Sequence, residues 1–163
     1  MPLLPILRWP DPILASRCAP VGEITDEVRA LAADMFETMY AAPGRGLAAP
    51  QVGVPWRLFV MDVGWKEGAA TPLVLIDPEV IWRSGVEVTG PEGCLSIPGI
   101  VAEVSRDEAV RLSWRGLDGG RQEAMLQGFA AICAQHEMDH LDGIVTLDRI
   151  GPEARAAAEA ALA

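Results

Sequence analysis

The chain contains only two histidines, and they stand four residues apart in His136-Glu137-Met138-Asp139-His140. At 3.6 residues per turn, this spacing stacks both imidazoles on one helix face, with a carboxylate beside the first. Random placement of two histidines gives the spacing about once in 80, before a glutamate is required between them. Two imidazoles one turn apart can share a metal ion, and the glutamate can reach a water at that ion. The spacing therefore reads as a helix that presents both histidines on one face. Phe129, Ile132 and Cys133 continue the helical period upstream after Gly128, and Gly143 is placed to stop the helix.

Catalytic sites of the zinc type use three protein ligands and leave a position for water. Cys133 lies on the same helix face, but it is seven residues from His140, about 10 Å along the axis. Its short side chain cannot meet an ion held by both histidines, so it reads as core packing. Cys94 is the better candidate. It sits in Pro91-Glu92-Gly93-Cys94-Leu95-Ser96, where Gly93 lets the backbone turn tightly. Asp142, Asp148 and Glu153, downstream of the helix, are the alternative and correspond to a peptidase-like site. Cys18, near Pro20, has no partner pattern and reads as structural.

A chain of 163 residues, half of them hydrophobic and 22% charged, is expected to form one domain spanning 1–163 with one core. Thr25 or Asp26 caps a predicted helix whose buried face is Val28, Leu31, Ala32, Met35, Phe36 and Met39, ending before Pro43-Gly44. Trp56–Val63 and Leu73–Trp82 read as strands, Val101–Ser105 alternates, and Ala109–Trp114 and Gln122–Leu126 flank a hairpin turn at Leu117-Asp118-Gly119-Gly120. Pro152 opens a last, Ala-rich helix, whose face of Ala154, Ala157, Ala158, Ala161 and Leu162 is expected to pack on the protein. Helix, antiparallel strands, then helix argues for α+β, with small antiparallel sheets packed around a central metal-binding helix.

The net charge is −10, and Lys66 is the only lysine among 13 basic residues. This disfavours specific nucleic-acid binding and anionic membranes. The first twelve residues carry four prolines and no apolar run of the signal-peptide kind, so a cytoplasmic protein is expected.

Gly44-Arg45-Gly46-Leu47-Ala48-Ala49-Pro50-Gln51 is rich in small residues and lacks the Lys-Ser/Thr of a phosphate loop. It ends in an amide donor suited to a developing oxyanion. Together with Glu92-Gly93-Cys94-Leu95-Ser96 and Gln135-His136-Glu137-Met138-Asp139-His140-Leu141, it resembles the peptide deformylases, in family order and over nearly the whole chain. Three positions depart from the usual family pattern: Arg45, Val101 and Thr146.

The resemblance implies that the N-formyl group is removed from the formylmethionine of nascent polypeptides, with release of formate. It implies one divalent metal ion on Cys94, His136 and His140: Fe2+ in the cell, with Zn2+, Ni2+ or Co2+ possible after purification. Glu137 would be the general base and then acid, and Gln51 and the Leu95 N–H the oxyanion donors. Glu92 would pair with Arg106 to steady the cysteine loop. Gly44, Arg45, Gly46, Phe129, Ile132 and Cys133 would line a methionine pocket. The short acidic tail helix, with Arg155 against Glu153 and Glu159, implies only weak, transient encounter with the ribosome. The rival readings are a zinc peptidase built on the two histidines and Glu137, and a peptide-binding relative without turnover.

Overall fold

The first helix, α1 (Asp26–Ala41), begins where Thr25 Oγ1 accepts the Val28 amide at 3.4 Å. Val28, Ala32, Met35 and Met39 are buried, while Leu31 and Phe36 are only half-buried, so the inner face is narrower than the periodicity suggests. The computed structural model describes residues 3–163; Met1 and Pro2, part of the proline-rich opening segment read above, lie outside the described residues.

The strands are β1 (Gly46–Ala48), β2 (Leu58–Met61), β3 (Leu73–Arg83), β4 (Glu87–Cys94), β5 (Ile97–Asp107), β6 (Ala109–Arg115) and β7 (Arg121–Gln127). Five of them form an antiparallel sheet in the order β1-β2-β3-β6-β7, and β4 and β5 form a separate antiparallel hairpin. All four residues of β2 are buried. Leu58 and Val60 face α1, and Phe59 and Met61 face the opposite way, into the cluster that holds Ala131, Cys133, Ala134 and Leu141. Alternate residues of one strand thus feed two cores, as the period of two requires. β2 is shorter than Trp56–Val63: Pro55 O and Arg57 N bond to Ala19, and of this stretch Arg57 O reaches β3, accepting from Asp77 N at 2.8 Å.

The second helix, α2 (Gly128–Leu141), carries the two histidines. It lies between the sheet and the β4–β5 hairpin, which gives the expected α+β architecture of antiparallel sheets around a central helix. Gly143 stops it at φ +75°, and a Cβ there would lie 2.8 Å from the Ala15 backbone, so only glycine fits. The last helix, α3 (Pro152–Leu162), departs from the expected face. Ala158 is buried and Leu162 half-buried, but Ala154, Ala157 and Ala161 are exposed. The helix is seated instead by a narrower stripe in which Arg155 reaches Asp148 Oδ1 at 2.8 Å. No helix of the described residues is long and apolar enough to cross a membrane.

Candidate metal centre

Eight side chains of α2 are buried, and Gln135, Glu137, Asp139 and His140 are among them. Polar groups so placed need partners, because burial without them costs free energy. Gln135 finds its partners at the end of β5: its Nε2 donates to Asp107 O at 2.8 Å, and its Oε1 accepts from Asp107 N at 3.1 Å. At the other end of the helix, Arg57 donates to Leu141 O at 2.9 Å and pairs with Asp142 at 3.0 Å. A cation there complements the partial negative charge of the helix terminus.

The hairpin brings the third group. Glu92 pairs with Ala102 and Gly93 with Val101; the register then shifts so that Cys94 opposes Ile97 across the turn Leu95-Ser96. This places the ligand atoms of Cys94, His136 and His140 within 4.8 Å of one another. Cys94 Sγ is 3.4 Å from His140 Nε2, and the imidazole centroids are 5.0 Å apart. His136 Nδ1 is bonded to Glu92 Oε1 at 3.1 Å, which leaves Nε2 for the centre. One sulfur and two imidazole nitrogens are the donor set of a tetrahedral metal site with one open position, so the residues fit a divalent ion.

Among the described residues, Glu137 Oε1 is buried without a hydrogen-bond partner, and so is His140 Nδ1, the ring nitrogen that does not face Cys94. Burial pushes the Glu137 carboxyl up to about 7, with His136 and Arg106 pulling the other way. Burial opposes a charge on His136, but its bonds to Cys94 and Glu92 outweigh that and hold it well above its ordinary value. Burial and the neighbouring His136 hold His140 well below. Burial also raises the Cys133 thiol well above its usual range, and its Sγ lies 3.8 Å from Arg45 O, outside the cluster.

Glu92 and Arg106 form a two-pronged pair, 2.9 Å at both contacts. Arg106 also reaches Asp139 Oδ2 at 2.6 Å, and Asp139 receives a second two-pronged contact from Arg149, at 2.7 and 3.0 Å. The roles of Asp139 and Arg149 are not legible in the sequence pattern alone. The clue available there was a carboxylate inside a helix segment otherwise committed to a core, which demands a cation.

A cleft of about 1210 Å3 runs past the cluster. Gly44, Arg45 and Gly46 line it on one side, Phe129, Ile132 and Cys133 line it from α2, and Leu95 and Val101 from the hairpin. Phe129 is 55% exposed and forms a lip. Arg45 lies over its ring, 5.4 Å from the centroid, and pairs with Glu67 at 2.6 Å, so its charge is spent on the wall. Thr146 is buried away from the cleft lining. Gln51 is buried beside Cys94. Its Oε1 accepts from Ala48 N at 3.0 Å, and its Nε2 reaches Ser96 Oγ at 3.0 Å and Cys94 Sγ at 3.7 Å. The acidic alternatives are occupied elsewhere or turned to solvent. Asp142 pairs with Arg57, Asp148 pairs with Arg155, and Glu153 is exposed.

A family model described as polypeptide deformylase matches residues 3–156. A peptide deformylase of Alkalilimnicola ehrlichii is 51% identical over 148 residues, covering 91% of this chain and 82% of its own. One of Acinetobacter baumannii is 48% identical over 152 residues, covering 93% and 85%. Among solved structures, a Synechococcus elongatus peptide deformylase in complex with actinonin superposes with a TM-score of 0.94 at 39% identity, covering 99% of this chain and 89% of that one. A Thermus thermophilus peptide deformylase gives 0.90 at 39% identity, covering 98% and 93%.

Proposed function

The chain belongs to the polypeptide deformylase family, and from that premise we propose which of its residues carry the reaction. The protein is a metal-dependent hydrolase that removes the N-formyl group from the terminal formylmethionine of nascent polypeptides and releases formate. The observation that carries the assignment is the convergence of Cys94, His136 and His140 beside a buried Glu137 in a cleft.

Cys94, His136 and His140 hold the ion. A divalent ion there supplies Lewis acidity, making water acidic enough to lose a proton near neutral pH and polarising the formyl carbonyl. Glu137 takes the proton of the attacking water; burial raises its carboxyl, which favours proton uptake. Gln51 Nε2 and the Leu95 N–H donate to the carbonyl oxygen as it gains charge. Glu137 returns the proton to the departing amine nitrogen as the carbon–nitrogen bond breaks. The products are formate and a free methionine amino group.

Phe129, Ile132 and Cys133, opposite Gly44–Gly46, receive the methionine side chain. The ion is ferrous iron in the cell, as the family resemblance implies, and zinc, nickel or cobalt suits the same donors. Glu92 and Arg106 hold the cysteine hairpin against His136. The enzyme works in the cytoplasm and meets nascent chains by diffusion. α3 carries Glu153 and Glu159 against Arg155, which gives little hold on ribosomal phosphates.

The test is formate release from a formyl-Met-Ala peptide, followed with a free-amine assay. Equimolar formate and amine support the reading. Cleavage at an internal peptide bond without formate contradicts it and favours the peptidase.

A further inference from the structure

The metal ligands come from two separately built pieces. Cys94 ends a strand of the β4–β5 hairpin, and His136 and His140 ride on α2. Their spacing is therefore set by whatever fixes hairpin to helix. A line of alternating charges crosses that junction. Starting at the metal site, it runs from His136 Nδ1 to Glu92 (3.1 Å), Arg106 (2.9 and 2.9 Å), Asp139 (2.6 Å) and Arg149 (2.7 and 3.0 Å). Glu92, Arg106 and Asp139 are buried, while the Arg149 side chain is 43% exposed. Two carboxylates and two guanidinium groups cancel, but only if Arg149 is counted. Without it, the single buried Arg106 would be shared between two carboxylates. Asp139 holds it by one prong at 2.6 Å already, so Arg106 would be drawn toward Asp139 and away from its two-pronged hold on Glu92.

We propose that Arg149, at the surface end of this line, is a positioning residue for the metal centre. It acts through Asp139, Arg106 and Glu92 on the His136 ring and on the placement of the Cys94 hairpin against α2. Arg149 lies in the turn Thr146–Arg149, beyond α2, and does not line the cleft. The inference rests on Cys94, His136 and His140 being the ligands. Its physical basis is that groups bonded to a ligating imidazole orient it and tune the ion, and that removing them typically costs 10–100-fold in metal affinity.

The experiment uses cobalt(II) as the probe. Full-length wild type, Arg149→Ala, Arg149→Lys, Asp139→Asn and the Asp139→Asn/Arg149→Ala double variant are stripped with chelator and titrated with cobalt. Affinity and the visible spectrum, which reports thiolate and imidazole ligation directly, are read together with Tm. Arg149→Ala is expected to lower cobalt affinity by about 10-fold or more and to alter the d–d bands. Arg149→Lys should recover part of the affinity but not all, because an ammonium cannot make the two-pronged contact. Arg149→Ala should add nothing to Asp139→Asn, since it acts only through that carboxylate. An Arg149→Ala protein with wild-type affinity and spectrum, even at lowered Tm, would overturn the proposal. Losses that add in the double variant would do the same. If wild type itself shows no thiolate-to-cobalt band, the ligand assignment fails and the Arg149 proposal falls with it. A wild type that shows the band beside an unaffected Arg149→Ala sinks the Arg149 role alone.

Discussion

A Cβ at position 46 would lie 2.6 Å from Glu137 Oε2 and 3.0 Å from Cys133 Sγ. Gly46 pairs with Met61 in the sheet, so the backbone cannot retreat, and the carboxylate would have to move instead. Gly46→Ala is therefore expected to keep its metal and lose turnover. A displacement near 1 Å at a reacting group costs roughly 100-fold in kcat. Steady-state formate release beside metal content checks this; an unchanged kcat would show that the Glu137 position is not critical.

Glu137→Gln tests the proton-transfer role without changing the size of the side chain. The three ligands remain, so metal content should match wild type, while kcat falls by about 10²–10⁴-fold. Retention of more than about one-tenth of the activity would assign the proton transfer to another group.

Gln51→Leu removes the amide beside Cys94 and also its contacts to Ser96 and Ala48. If the amide steadies charge on the reacting oxygen, kcat falls by roughly 10²–10³. An effect confined to KM would move Gln51 to substrate binding in the ground state.

Glu92 carries a pH signature. Burial raises its carboxyl, but the hydrogen bonds from His136 and Arg106 outweigh this and hold it at about 2, against an ordinary value of 4.5. A carboxyl lowered by folding stabilises the native state above its unfolded pKa, and that contribution is lost as pH falls from about 4.5 toward 2. Chemical denaturation of metal-free protein should show up to about 3 kcal/mol lost across that window from this group. Glu92→Gln should be less stable at pH 6 and should flatten this part of the profile. An equal acid slope in both proteins would contradict the assignment.

The parts of the fold readable from sequence are those set by local chemistry. The Thr25 cap, the turn at Leu117–Gly120, the Gly143 stop and the helical spacing of the histidines each depend on residues within a few positions of one another. β4 was not expected. Gly90, Pro91 and Gly93 interrupt any alternation, and the strand exists because β5 pairs with it along its length. β1 has three residues, too few for a pattern, inside a segment whose small residues carry no strand signal. The Asp139–Arg149 contact depends on the turn after α2 folding back, and the exposed half of the Ala-rich face on α3 depends on what the rest of the surface offers. In the site, helix rise alone excludes Cys133, and the turn around Gly93 favours Cys94 over the acidic residues downstream. The commitment of Gln51 to Ser96 needed the hairpin to be in place.

If Cys94 from the hairpin and the two histidines of α2 hold one ion that deformylation needs, removing the cysteine abolishes both binding and turnover. The most direct measurement compares metal content and formate release for wild type and Cys94→Ala, both purified without oxygen and with matched circular dichroism. Wild type is expected to hold about one equivalent of metal and to release formate steadily, with both lost in the variant. A Cys94→Ala protein that retains its metal and still releases formate would contradict this assignment.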